Sequence, residues 1–175
     1  MLWDALPLHG KWSGKSTVSG EIMESNQDFR DLFQCLNDAD AKYLVVGAYA
    51  VIFHTEPRFT KDLNVWVEPT RENAAKVWKA LEKFGAPMTD LTIGDLCNPD
   101  MIYQVGIEPN RFDIIMDIKS PRFSDAWKNR ITSTYEDQTI YILNLDDLIR
   151  SKKIAGRPQD LLDVKSLETK KKTGT

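Results

Sequence analysis

Cysteine is scarce in this chain, and the two present, Cys35 and Cys97, lie far apart with no metal-ligand spacing around them. That excludes a disulfide framework and a cysteine-based zinc site, and two reduced thiols in a cytoplasmic setting are expected. Long apolar runs are missing too. Nothing approaches the roughly 20 residues needed to span a bilayer, and the N-terminus lacks the charged-then-apolar layout of a secretory leader, so neither membrane association nor export is expected. Nor does one sign of charge dominate. Twenty-three basic residues against 26 acidic ones give a formal charge of −3, so no global field draws the chain to nucleic acid or to a lipid surface. Contact with RNA would need a local patch.

What is present is 42% hydrophobic and 28% charged residues over 175 positions, enough for one buried core and too short for two ordinary domains. Residues 1–22 hold Gly, Ser, Lys and two isolated tryptophans, Trp3 and Trp12, without a helical or alternating period. With Met23 just beyond as a natural start, they read as a disordered extension or an expression-tag remnant. The alternative is a docking arm anchored by the two tryptophans. The domain is expected over 23–169, and 170–175, with its lysine run Lys170 to Lys172, as a solvated tail.

Within that domain, Phe29, Leu32, Phe33 and Leu36 follow one face of a helix capped by Ser25 with Asp28. Tyr43 to Val46 reads as a strand that stops at Gly47, before a short helix through Phe53. Leu63 to Val67, β-branched and aromatic, predicts a second strand. Thr70 caps a helix ended after Phe84 by Gly85. A loop over 86–100 precedes a hairpin of 101–105 and 111–118, turned at Glu108-Pro109-Asn110. A helix from Ser120-Pro121 to about Asn129, two short strands at 131–135 and 139–142, a helix opened by Asn144 with Asp147, and a last helix from Pro158 to about Leu167 complete the pattern. The class expected is α/β (α+β): a mixed sheet of four to six strands, helices packed on one face, and a C-terminal helical pair.

Chemistry concentrates at Gly47-Ala48 and, thirteen residues on, Asp62-Leu63-Asn64-Val65, with Asp113 on a later strand. Residues two apart on a strand share a face, so Asp62 and Asn64 project together. If the strand of Asp113 lies alongside, oxygen donors converge as the hard ligand set that magnesium prefers. The glycine turn lets backbone amides approach a phosphate, and the helix N-terminus favours its charge. The plainer reading of Asp62 and Asp113 is charges guarding a sheet edge. His54 reads as a hydrogen-bonded structural residue more readily than as a base. Arg58 reads as a phosphate contact or a solvated charge. Lys152 and Arg157 either reach a triphosphate or pair with Asp160 and Asp163. Trp66 either stacks a base or packs under the helix of residues 71–84.

At these residues the sequence resembles the nucleotidyltransferase superfamily, whose signature is a Gly-[Gly/Ser] turn, an Asp-x-[Asp/Glu] pair and a third strand carboxylate. More narrowly it is similar to small bacterial AbiEii-related and minimal nucleotidyltransferases. Val46 to Val51, His54, Arg58 and Thr60-Lys61-Asp62 match their N-terminal motif. Leu145 to Ile149, Lys152, Gly156-Arg157-Pro158, Asp160 and Asp163 match their C-terminal one. The likeness covers about 28–167. It implies a nucleotidyltransferase-type fold that moves a nucleoside monophosphate from a nucleoside triphosphate to an acceptor hydroxyl on RNA, protein or a small molecule. Mg2+ or Mn2+ would sit on Asp62, Asn64 and Asp113, with Asp62 and Asp113 catalytic and the phosphates at Gly47, Ala48, Arg58 and Lys152. Two residues depart from the pattern: Asn64 stands at the second acidic position, and Ala48 where Gly or Ser is usual. An amide supplies no negative charge, so a rival reading is a degenerate module that binds a nucleotide or a protein partner, such as an antitoxin-like protein in a toxin–antitoxin pair.

The aperiodic N-terminus generates a first prediction. Deleting residues 1–22 should leave thermal stability nearly unchanged; a fall in Tm beyond about 5 °C would mean that the segment docks, since that is about 1 kcal/mol or more for a domain of this size.

Overall fold

Tyr43–Val46 is buried at every position, as befits a strand covered on both faces, and it lies inside the main sheet. The computed structural model describes residues 15–18, 21–24 and 26–174. In chain order the elements are β1 (Lys15–Val18), β2 (Glu21–Glu24), α1 (Gln27–Asp38), β3 (Tyr43–Val46), α2 (Gly47–His54), β4 (Asp62–Val67) and α3 (Arg71–Phe84). A 3-10 turn at Asp95–Cys97 leads to β5 (Ile102–Val105), β6 (Arg111–Ile115), α4 (Phe123–Lys128), β7 (Ile131–Tyr135), β8 (Gln138–Ile142), α5 (Leu145–Ala155) and α6 (Pro158–Thr173). Six strands form one mixed sheet in the order β5-β6-β4-β3-β8-β7, and β1 and β2 pair as a separate antiparallel hairpin. The β4–β6 and β3–β8 pairs are parallel. This is the α/β class that the sequence predicts, with its mixed sheet and C-terminal helical pair.

Alternation along β4 sends Leu63, Val65 and Val67 to one face and Asn64 and Trp66 to the other. The first face is covered by α1 and α3, where Phe33 stacks on Tyr43 and Phe84 meets Phe112 edge-on. Trp66 points the other way, against Phe123 of α4 at 4.9 Å between ring centroids, and its Nε1 donates to the Met116 carbonyl at 3.3 Å. The helices therefore do not all lie on one face, and Trp66 packs under α4 rather than under residues 71–84. One residue of strand parity decides this.

Three caps hold the helix starts. Asn26, not Ser25, caps α1 by accepting the Asp28 N–H at 2.9 Å, while Thr70 and Asn144 accept from Asn73 and Asp147 as expected. Gly85 ends α3 in the left-handed conformation, φ 89°. The helix after Ser120-Pro121 begins only at Phe123. Helix α6 runs past Leu167, so that Lys170 to Lys172 are exposed but helical; cations suit the negative end of the helix, and Lys171 reaches Asp146 at 2.6 Å. The hairpin of β1 and β2 has no counterpart in the sequence reading. Trp3, Trp12 and Ser25 lie outside the described residues. No helix among the described residues is long and apolar enough to cross a membrane.

The junction of α5 and α6 is held by charge. Lys152 Nζ lies 3.0 Å from Asp160 Oδ1 and 3.0 Å from Asp163 Oδ2, with all three side chains buried. Arg157 Nε adds a 2.6 Å contact to Asp160, and Arg58 from the loop before β4 reaches Asp163 at 3.0 Å. Against the cost of burial, Arg157 and Lys152 hold the Asp160 carboxyl below the usual carboxylate range. Removing one member of such a set strands a buried charge. Asp160→Ala should cost about 3 kcal/mol in urea unfolding, and pairing Asp160→Leu with Lys152→Met should recover much of the loss.

Candidate functional site

Val46 ends β3 opposite Asn64 in the antiparallel ladder, and Gly47 opens α2 with φ +64°. That left-handed conformation suits glycine. A Cβ at Gly47 would also stand only 2.5 Å from Asn64 Nδ2, so the Asn64 amide lies over the turn and leaves no room for a side chain there. In the parallel ladder of β4 and β6, Asp62 lies opposite Arg111 and Asn64 opposite Asp113. Residues two apart share a face, so these four project together from one end of the sheet.

Arg111 is the member that the sequence reading missed. Its Nη2 lies 3.3 Å from Asp62 Oδ2, its Nε 3.7 Å from Asp113 Oδ1, and its Nη1 3.7 Å from Glu108 Oε1. The signal was available: Arg111 stands two residues before Asp113, so the alternation that selects Asp113 selects it too. Asp113 is only 7% exposed. Burial pushes its carboxyl above the usual range; the Asp62 carboxylate adds to this, while Gln104 and Arg111 oppose it. Its Oδ1 is buried without a hydrogen-bond partner among the described residues, and so is Arg111 Nε, the two being too far apart to bond each other. A buried acceptor left in this way is costly.

Above these residues opens a cleft of about 980 Å³, walled on its far side by the end of α5 and the start of α6. Gly47, Ala48, Arg58, Asp62, Asn64, Asp113 and Lys152 all line it. Arg58 and Lys152 do so with their charges already engaged by Asp163 and Asp160. His54 stands apart from the cleft lining; its Nε2 and the Leu143 carbonyl are 2.9 Å apart, and burial lowers its pKa, which suits a neutral ring donating there. Trp66, 1% exposed, is closed to a stacking ligand.

A metal test of this donor set gives a limited fit. Among the described residues no group of three or more His, Cys, Asp or Glu side chains is placed to hold an ion. Two carboxylates and an amide oxygen remain, with Asp113 Oδ1 unpartnered. Magnesium accepts such a sparse protein share, because it keeps several waters and takes phosphate oxygens from its substrate.

Ionised Asp113 works against the fold. A carboxyl whose pKa is raised on folding stabilises below its unfolded value, here 3.8, and that contribution is lost as pH rises through the folded value. Asp113→Asn should therefore raise Tm near pH 8 with chelator present. The gain should shrink in melts at progressively lower pH. An unchanged or lower Tm at pH 8 would contradict the reading of Asp113 as a strained charge.

Comparison with known proteins places this geometry in a lineage. The profile of a family described as nucleotidyltransferase of unknown function (DUF6036) matches residues 22–173, a span that contains every residue of the cleft. No curated protein matches the chain. The match bears on the superfamily and not on the AbiEii-related branch. With its glycine turn, β4 aspartate and β6 carboxylate joined in one cleft, the chain belongs to this family of nucleotidyltransferases of unknown function.

Proposed function

We propose that the cleft binds a nucleoside triphosphate with a divalent cation and transfers its nucleoside monophosphate to an acceptor hydroxyl. The observation that carries this reading is the buried, unpartnered Asp113 Oδ1 beside Asp62 and Asn64, on the floor of a cleft whose edge is the Gly47 turn. Charge supports the need for a cation. Arg58, Arg111, Lys119, Lys152 and Arg157 line the cleft, but Asp62, Asp113, Asp117, Asp160 and Asp163 match them one for one. A triphosphate would find no net positive field of side chains. Magnesium or manganese on Asp62, Asp113 and the Asn64 oxygen would neutralise phosphate charge in the transition state.

The chain's own residues have separate tasks in this reading. Backbone amides at Gly47 and Ala48 approach the phosphates at the start of α2. Arg58 and Lys152, anchored to Asp163, present charge from the opposite wall. Asp113, whose burial raises its affinity for a proton, takes the proton of the acceptor hydroxyl as its oxygen attacks the α-phosphorus. The bond from the α-phosphorus to the bridging oxygen breaks, and pyrophosphate leaves. A cytoplasmic enzyme acting on RNA, protein or a small molecule fits this chemistry. The kinship with AbiEii-related proteins, carried by Thr60-Lys61-Asp62 and Gly156-Arg157-Pro158, forms part of the proposal.

Asn64 favours a second reading: a degenerate site that binds a nucleotide or an antitoxin-like partner without transfer. Substitution at this residue separates the two. Asn64→Asp should tighten metal-dependent nucleotide binding by about tenfold or more, because a carboxylate replaces an amide of nearly the same shape. Asp62→Ala should abolish it. Transfer by the wild type that is lost in Asn64→Ala makes the amide a working ligand. Transfer gained only in Asn64→Asp supports the degenerate reading, and absence of metal-dependent nucleotide binding in both proteins by calorimetry would end the nucleotide reading.

A further inference from the structure

We propose that Arg111 is a built-in plug for the cation position, resting between Asp62 and Asp113 when no metal is bound and turning to Glu108 when a divalent ion enters. The inference rests on the metal site proposed above. One guanidinium touches three carboxylates: Asp62 at 3.3 Å and Asp113 at 3.7 Å on the inner side, and Glu108 at 3.7 Å on the outer side. None of these is a tight bidentate pair, and Arg111 Nε and Asp113 Oδ1 are both buried without hydrogen-bond partners among the described residues. Arg111 thus neutralises the inner pair but leaves Asp113 Oδ1 unsatisfied. The outer rest is ready. Glu108 lies in the segment between β5 and β6, half-exposed and already held by Lys61 at 3.2 Å, so a short swing carries the guanidinium from floor to rim.

Charge gives the plug its effect. Asp62 and Asp113 carry two negative charges, and Arg111 cancels one of them. A free divalent ion must displace a cation held by the same oxygens that it seeks, and it gains little by doing so. A metal–triphosphate complex differs, because its phosphate oxygens accept the displaced guanidinium in the geometry that arginine favours. The plug therefore makes the site selective for metal that arrives with nucleotide over metal alone.

The test uses the full chain and Mn2+ alone, followed by calorimetry and by the Tm shift on adding metal. Arg111→Met should bind Mn2+ about tenfold tighter than the wild type, although its metal-free Tm falls because a counter-charge is lost. Arg111→Lys should fall between them, and Glu108→Gln should weaken Mn2+ binding by removing the outer rest. Arg111→Met combined with Asp62→Asn should lose the tightening. A residue with only a structural role would lower Tm without tightening metal. Equal, measurable Mn2+ affinity in wild type and Arg111→Met would overturn the plug and leave the metal site standing. Absence of Mn2+ binding in an Arg111→Met protein that still melts cooperatively would overturn both. If Arg111→Met does not fold, the same comparisons are made with Arg111→Gln.

Discussion

The parallel ladder between β4 and β6 is the constraint on which the cleft depends. It sets Asp62 against Arg111 and Asn64 against Asp113, while the antiparallel ladder on the other edge of β4 sets Asn64 against Val46, just before the glycine turn. Three strands thereby bring a turn, an amide, a carboxylate pair and a guanidinium to one end of the sheet. A slip of one residue in β6 would turn Phe112 and Ile114 into the cleft and bury Asp113 against α1 and α3. Burying such side chains is worth about 1.5–3 kcal/mol each, so the apolar half of the strand fixes the position of its polar half.

The two charged groups facing this cleft are built in opposite ways. Along the α5–α6 wall, Lys152, Asp160, Asp163, Arg157 and Arg58 pair closely, most at 2.6–3.0 Å. On the floor the contacts stretch to 3.3–3.7 Å and leave buried atoms unbonded. Satisfied charges hold geometry, and unsatisfied ones cost the fold free energy. The wall gives the cleft its shape, and the floor keeps its polar atoms unsatisfied.

Much of this was legible in the sequence because the signals were local. Thr70 and Gly85 bracket α3, Asn144 opens α5, and the parity of Asp62 and Asn64 follows from a strand's period of two. What escaped depended on neighbours in space or on a single residue of phase. Asn26 displaced Ser25 as a cap by one position. Trp66 went to α4 because it follows Val65. The run Lys170 to Lys172 reads as a tail from composition, yet lysines suit the C-terminal end of a helix. Arg111 was passed over because a search for metal ligands looks for oxygen, whereas the strand supplied a cation to sit among them.

The contact between Gly47 and Asn64 also limits how this lineage can change. At position 47 a side chain would be strained by the left-handed backbone angle and would also meet the amide above it. A smaller residue at position 64 would relieve only the second obstacle. The two positions are therefore unequal partners: 64, which bears a functional group, lies on an ordinary strand, whereas 47, which bears none, lies on a turn that disfavours any side chain. Exchange of the side chain at 64 leaves the left-handed turn at 47 intact, so the shape of this edge of the cleft can outlast the chemistry of the group above it.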